Sequence, residues 1–407
     1  MQVVSISAAP AATGLRRVLV VLCVTEITSW GILFYAFPVL LGAIATDTGW
    51  SATALTAVFS AGQLLTALTG ILVGRRLDRH GPRIVMTAGS ALAVTALIVV
   101  ATAQTLTAFL LGWALAGISM GAVLYPPAFA ALTRWYGPDR VKALTVLTLA
   151  GGLASTVFAP LTAALATRFD WRATYLILAA ILAVVTIPGH WFGLRLVWPT
   201  RPEEGTEHAH LGNPGSIARS RAFITLAIAL SVTGFASFAV VVTLVPLMTE
   251  RGISTTTAAL ALGLGGLGQV VSRIGYSAFA DRTSVRTRTA IILAAIAATT
   301  MLLGIFTTAA ALTVAAILSG MARGVFTLLL ATAITDRWGS AHYGQLTGLV
   351  SAPMTITIAS APFVATALAA NLGGYPATFL ILGTAAALAA ALSLTTIPKH
   401  SPKEQHS

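Results

Sequence analysis

Three ionisable side chains interrupt apolar runs in this sequence: Glu26 in "LVVLCVTEITSWGILFYAF", Arg273 in "LGQVVSRIGYSAFADR" and Arg323 in "LSGMARGVFTLLL". A charged residue at the centre of a membrane helix costs about 2.5–3.5 kcal/mol, and such residues mark function. A guanidinium is a planar fork that gives two parallel hydrogen bonds to a planar anion, so Arg273 reads as a carboxylate clamp. The alternative is an internal tie to Glu26 or to backbone carbonyls. Arg323 offers either a second cation for a dicarboxylate or a partner for Glu26. Glu26 is the intramembrane group able to carry a proton. In the scheme this suggests, an empty site pairs Glu26 with an arginine. An arriving carboxylate then takes the arginine, and the freed Glu26 takes a proton, coupling anion and proton in symport. Tyr125, in "GAVLYPPAFAAL", adds a hydroxyl to donate to a substrate oxygen, or else a packed ring that meets a carbonyl.

These residues need helices long enough to hold them inside a bilayer. The chain has 407 residues, 57% of them hydrophobic and only 9% charged, with mean hydropathy +0.87. Soluble domains carry about 25% charged residues, so the composition is that of a polytopic membrane protein. Its net charge of +12 then reports which loops face the cytoplasm rather than an affinity for nucleic acid. The lone Cys23 falls in the first apolar run and reads as packing. His190 falls near the cytoplasmic end of the sixth run. No metal spacing, cofactor motif or Ser-His-Asp arrangement is legible, which argues against an enzyme.

About 20 apolar residues cross a bilayer as a helix. That criterion gives twelve spans: 16–42, 51–74, 84–103, 105–131, 141–166 and 173–195, then 222–248, 255–280, 289–309, 311–334, 343–369 and 374–397. The first has a basic flank like a signal peptide, but its apolar run is too long for one, so it reads as a retained helix. At 1.5 Å per residue, Glu26 lies about 15 Å from Arg16, Arg323 about 20 Å from Asp336, and Arg273 about 12 Å from Asp281. The expected organisation is a six-helix bundle over 1–197, a cytoplasmic linker over 198–221, a second bundle over 222–398 and a tail over 399–407. Pro126-Pro127, Pro160, Pro353 and Pro362 should kink their helices. The glycines of "LGLGGLGQ", with no strand before them, read as helix packing rather than a dinucleotide loop.

The halves repeat. Asp78-Arg79 and Asp281-Arg282 are 203 residues apart, and so are Arg134-Trp135 and Arg337-Trp338. Parallel repeats of this kind characterise transporters with a midplane site between the halves. Of the 24 lysines and arginines, nineteen fall on the side of the N-terminus, three (Arg168, Arg172, Arg251) on the other, and two inside spans. The bias predicts that both termini are cytoplasmic.

The loop "GRRLDRHGPR" after the second span resembles the major facilitator superfamily pattern G-x-x-x-D-R-x-G-R-R through Gly74, Asp78, Arg79, Gly81 and Arg83, with Pro82 in place of one basic residue. "SAFADR" repeats it in the second half with Ser277 for the first glycine, ending on Asp281 and Arg282. The resemblance covers the whole chain and implies an all-α membrane fold of two pseudo-symmetric six-helix bundles. The loop residues are expected to act in gating, the aspartate latching the halves through a helix N-terminus or a loop arginine. A purely topological role for the arginines is the alternative.

Within the superfamily, the chain is most similar to the monocarboxylate transporters and the oxalate/formate antiporter group. Gln269 stands four positions before Arg273, where that group places an acidic or polar residue. Glu26 precedes Trp30-Gly31 and Tyr35, and Gly49–Ser51 opens the second span. The resemblance implies that Gln269 contacts substrate beside Arg273, Arg323 and Tyr125. The function expected is secondary active transport of a small organic anion, a mono- or dicarboxylate, with a proton, by alternating access in the plasma membrane. A proton-driven exporter of drugs or hydrophobic metabolites is the rival. "GGLASTVFAPLTAAL" in the fifth span is only loosely similar to the exporters' Gly-Pro signature.

Overall fold

A computed structural model describes residues 12–198, 214–339 and 343–396. Among them, twelve helices are long and apolar enough to cross a membrane, and no strand occurs. They are α1 (Thr13–Thr48), α2 (Ala52–Leu77), α3 (Pro82–Thr102), α4 (Leu106–Tyr136), α5 (Arg140–Ala166) and α6 (Trp171–Gly193) in the first half. The second half holds α7 (Arg221–Glu250), α8 (Thr255–Ile274), α9 (Val285–Ile305), α10 (Ala309–Thr332), α11 (Gln345–Leu372) and α12 (Tyr375–Ser393). Residues 199–213 of the linker and the tail 399–407 lie outside the described residues.

The 203-residue offset reaches the atoms that build the helices. Ser51 and its counterpart Ser254 cap α2 and α8, each side chain accepting from the backbone N–H three residues on. Thr105 and Thr308 do the same for α4 and α10. Such caps satisfy N–H groups that a helix start leaves without partners. Each half also repeats its packing: α2 lies on α4 as α8 lies on α10, and α3 on α6 as α9 on α12. Glycine sets the first of these contacts. A methyl on Gly62 would meet the carbonyl of Trp113 at 2.8 Å, and one on Gly265 would meet that of Ala316 at 3.0 Å. Gly117 and Gly320, again counterparts, leave no room at all against Gly62 and Gly265. Small residues let backbones approach where no hydrophobic effect drives helices together.

At the face opposite the termini, each half closes with the same device. Asp47, at the end of α1, accepts from the Trp171 indole at the start of α6 at 2.9 Å. Its counterpart Glu250, at the end of α7, accepts from the Tyr375 N–H at the start of α12 at 2.9 Å. A guanidinium then covers the C-terminal carbonyls of the third helix of each half. Arg172 takes Ala101 and Ala103, while Arg251 takes Leu303, Gly304 and Phe306. The carbonyl positions correspond and the arginines do not: Arg172 comes from α6, and Arg251 from the end of α7. A cation at a helix C-terminus complements the free carbonyls and the dipole. Burial pushes Arg251 below the usual arginine range. These two arginines, read from sequence as outside loop charges, are helix caps.

At the basic face the second half is tied by Arg288, which donates to Asp336 and, at 3.0 Å, to the Ala280 carbonyl. Buried Arg337 donates to the Ala333 carbonyl and to Thr289 and Thr396, and burial pushes its pKa down to about 10.

Several boundaries differ from the sequence expectation. The eighth span, expected to run to 280, stops at Ile274 and breaks at Gly275 before a short helix, Tyr276–Asp281. Glycine, the poorest helix former after proline, accounts for the break. Arg273 therefore lies in the last turn of α8, not two turns inside it. Pro160, Pro353 and Pro362 sit within uninterrupted helical segments. The interruptions fall instead at Leu124, just before Tyr125-Pro126-Pro127, and at Leu153, just after Gly151-Gly152. In α1 the segment Gly31–Tyr35 is π-helical.

The halves meet chiefly through α2–α11, α5–α8 and α1–α7. Away from the termini, one buried cluster draws on both halves, with Phe37, Leu40, Phe59 and Trp113 alongside Val241, Leu244, Leu247 and Phe379. Toward the basic face the clusters separate, one built by Val18, Leu22, Met86 and Leu132 and the other by Phe223, Leu226, Ile292 and Phe326. The bundle is thus sealed at one end and parted at the other. Gly320→Ala puts a methyl into the Gly265 backbone and should cost about 1–3 kcal/mol, read as a lower thermal midpoint in detergent. Gly42→Ala, with nothing within 4 Å, should leave the midpoint unchanged or raise it slightly.

Candidate functional site

The three irregular stretches of α1, α4 and α5 converge. Glu26 and Trp30 lie on the turns of α1 before its π-helical segment, a feature frequent at functional sites. Tyr125 starts the segment of α4 that follows the Leu124 break. The two prolines after it suit a helix start because they lack N–H groups to lose. The Tyr125 ring is held between Trp30, with centroids 5.3 Å apart, and Phe129, stacked at 5.0 Å. Its hydroxyl lies against Gly151 of α5, where a methyl would come within 2.3 Å of it.

From the second half, α8 and α10 bring the cations. Arg273 donates through Nη1 to the Thr148 carbonyl of α5 at 2.6 Å and through Nη2 to the Thr327 hydroxyl of α10 at 3.0 Å. Arg323 is buried and donates through Nε to Gln269 Oε1 at 3.0 Å. Tyr35 lies within electrostatic reach of both arginines, and Tyr125 within reach of Glu26 and Arg273. Arg273, Arg323, Gln269, Tyr125 and Glu26 therefore belong to one neighbourhood spanning both bundles.

Glu26 corrects one expectation. It is fully buried, but among the described residues neither carboxyl oxygen has a hydrogen-bond partner, and it forms no ion pair with Arg273 or Arg323. The Trp30 indole N–H faces the carboxyl without reaching hydrogen-bond geometry. Glu26 pairs with neither arginine, because the guanidinium donors are turned to Thr148, Thr327 and Gln269. Neither Arg273 nor Arg323 has an acidic partner among the described residues. Two positive charges stand here with neutral acceptors only.

A cavity of about 820 Å³ lies between α2 and α11 on the parted side, lined by Trp30, Gln63, Tyr125, Phe238, Ser351 and Thr355 among others. Tyr125 joins the charged neighbourhood to this space. Among the described residues no group of acidic, histidine or cysteine side chains could hold a metal.

The loop residues expected to gate are dispersed. Gly81 turns the chain with φ +73° between α2 and α3, a conformation that favours glycine. Arg83 donates to the Trp191 carbonyl at 2.8 Å and stacks on the Trp191 ring at 4.1 Å, tying α3 to α6 within one bundle. Gly74 and Arg79 are exposed. The side chains of Asp78 and Ser277 lie outside the described residues. Asp281 and Arg282 are exposed, and Asp281 has no ion pair among the described residues. The ion pair of that corner is Arg288–Asp336 instead, a buried arginine with an exposed aspartate.

Sequence reasoning passed over Thr148, Thr327 and Gly151. Thr148 acts through its carbonyl, which no side-chain pattern signals. The signal for Gly151 was the Gly-Gly pair in a helix, present but read only as a weak exporter-like motif. His190 is buried within the first bundle, its Nδ1 hydrogen-bonded to Ser90 at 2.8 Å.

Twelve helices in two repeated bundles around a central cavity define a membrane transporter. The sequence model for the Major Facilitator Superfamily matches residues 20–311 and 224–407, and the chain belongs to that superfamily. It is 29% identical to human monocarboxylate transporter 11 over 58% of this chain and 49% of that protein. It is 26% identical to bovine (Bos taurus) monocarboxylate transporter 13 over 62% and 57%, and 31% identical to the multidrug resistance protein MdtL of Klebsiella pneumoniae over 54% and 56%. The chain thus spans about half the length of the curated relatives it matches. Among solved structures it is similar to an inward-facing, unoccupied bacterial homologue of the human lysosomal transporter Spinster. There the TM-score is 0.76 at 13% identity, covering 95% of this chain and 97% of that one. The nucleoside transporter NupG matches with a TM-score of 0.74 at 14% identity, covering 94% and 100%. At such identities these two speak for the fold alone.

Gln269→Leu removes the acceptor of Arg323 Nε in a buried site. The loss of a hydrogen bond to a charged group should cost about 1.5–3 kcal/mol, seen as a lowered thermal midpoint, with Gln269→Glu retaining the bond.

Proposed function

We propose that this protein is a secondary active transporter of a small organic anion, a mono- or dicarboxylate, moved together with a proton. The observation that carries the reading is the pair of guanidinium groups, Arg323 buried and Arg273 partly buried, without an acidic partner among the described residues. An unpaired charge away from water is costly, and an anionic cargo is the natural compensation. Arg273 presents its two Nη groups to two neutral acceptors on different helices. A carboxylate is a stronger, charge-assisted acceptor that matches the same fork. The similarity to monocarboxylate transporters 11 and 13 supports the same class.

Glu26 supplies the proton step. An ionised carboxyl that is fully buried and has no hydrogen-bond donor among the described residues carries a large desolvation cost, which protonation removes. In the parted conformation Glu26 is accordingly assigned the protonated form, and it releases its proton when rocking of the bundles brings it water or a cation. This replaces the arginine-paired resting state expected from sequence. Alternating access is assigned to the two bundles moving against each other around the Arg273, Arg323 and Tyr125 neighbourhood. The residues of the Gly74–Arg83 loop and Asp281-Arg282 are assigned to the moving surface. The basic face, where both termini lie, is assigned to the cytoplasm and the membrane to the plasma membrane. The parted side would then be the cytoplasmic one.

The apolar wall of the cavity (Trp30, Phe34, Leu68, Leu124, Ile356) and the multidrug relative favour a second reading, proton-driven efflux of a hydrophobic compound. Uptake of a panel of labelled carboxylates into proteoliposomes with an imposed pH gradient separates the two. Wild type should concentrate at least one carboxylate, Arg323→Met should abolish this, and Arg273→Lys should lose at least tenfold in uptake because the fork is gone while the charge remains. Resistance to hydrophobic drugs on overexpression, with no carboxylate taken up, would overturn the reading. Glu26→Gln should abolish gradient-driven accumulation while preserving carboxylate counterflow. Full accumulation by that variant would remove Glu26 from the proton path.

A further inference from the structure

On α5, Gly151 and Gly152 point in two directions about 100° apart, as successive helical residues do. Gly151 faces α4, and its missing methyl is the space that the Tyr125 hydroxyl occupies. Gly152 faces α8, where Val270 and the Nη1 tip of Arg273 close over it, the latter 3.7 Å from where a methyl would stand. One residue later the helix breaks at Leu153. Four residues earlier, Thr148 offers the carbonyl that Arg273 takes. A hydroxyl from one bundle and a guanidinium from the other thus rest on adjacent residues whose Cα atoms are 3.8 Å apart.

We propose that the Gly151–Gly152 step determines specificity: its lack of side chains lets Tyr125 and Arg273 present a hydroxyl and a guanidinium side by side to one end of an anionic cargo. The proposal rests on the carboxylate reading above and adds the element that positions its head group. The Tyr125 ring has little freedom to compensate, since Trp30 and Phe129 hold both of its faces. A methyl on Gly151 therefore moves the hydroxyl out of line with Arg273 instead of being absorbed. On Gly152 the methyl meets the end of the Val270 side chain at 2.9 Å, which can turn aside. The two glycines should differ in consequence.

The test is a double-mutant cycle in proteoliposomes, using a carboxylate that wild type transports. Gly151→Ala should raise KM about tenfold with maximal rate within about twofold of wild type, the scale of one hydrogen bond to a charged group. Gly152→Ala should raise it less. Tyr125→Phe removes the hydroxyl and opens room for the methyl. The double variant Gly151→Ala/Tyr125→Phe should therefore match Tyr125→Phe alone and remain measurable even if Gly151→Ala alone folds poorly. Additive effects in the double variant, or a fall in maximal rate with KM unchanged, would reduce Gly151 to helix packing and overturn the proposal while leaving the carboxylate reading intact. Absence of carboxylate transport by wild type would overturn both.

Discussion

Positive charge without a negative partner among the described residues, buried at Arg323 and partly buried at Arg273, is the constraint around which this protein is arranged. Arg273 and Arg323 hold neutral acceptors only: a carbonyl, a hydroxyl and an amide. Such acceptors engage some of the donors, with Arg273 Nε left unpartnered, and leave the charge uncompensated, a state that persists only if surrounding structure supports it. Here the support is the close approach of α8 to two helices at once. Gly265 and Gly268 press on α10, while Gly263 and Gly266 press on α5. The same contacts deliver Gln269 to Arg323 and Thr148 to Arg273.

The duplicated architecture explains how strong and malleable elements coexist. Counterpart glycines, caps and helix ends recur at the 203-residue offset, so each bundle is a rigid repeat of the other. The cations and Glu26 break that symmetry. The counterpart of Arg323 is Met120, that of Glu26 is Ala229, and that of Tyr125 is Leu328. The first bundle contributes the carboxyl and the phenol, and the second contributes the guanidinium groups. A site shared in this way changes composition whenever the bundles move, which is what a carrier requires of its midplane. The irregular stretches of α1, α4 and α5 all lie on the first-bundle side, where backbone departs from ideal helix beside the cavity.

The far side is closed by packing, not by charge. Aromatic rings of α1, α2 and α4 stack through Phe37, Phe59 and Trp113, and Phe34 reaches Phe238 across the halves. The ion pairs and arginine caps at that face act within a bundle. Opening that side would separate apolar surfaces while leaving each bundle's own polar ties in place.

The Asp-Arg loops carried the resemblance to the superfamily; by composition and periodicity alone the sequence determined the twelve spans, the repeat and the identity of the charged residues inside the membrane. Each is a property of composition or periodicity: a bilayer fixes helix length, and a duplication leaves its offset in any residue that caps or packs. The partners were decided by tertiary structure alone. Glu26 was expected beside an arginine and stands alone, because donors on α8 and α10 had nearer acceptors in Thr148, Thr327 and Gln269. The span around Arg273 was expected to be one helix and is interrupted at Gly275, just after the last turn of α8. Arg172 and Arg251 looked like loop charges and are helix caps, since the carbonyls they cover lie some seventy and fifty residues away in the chain. Backbone carbonyls and absent side chains carry no pattern that a linear reading can weigh, and both are central to this site.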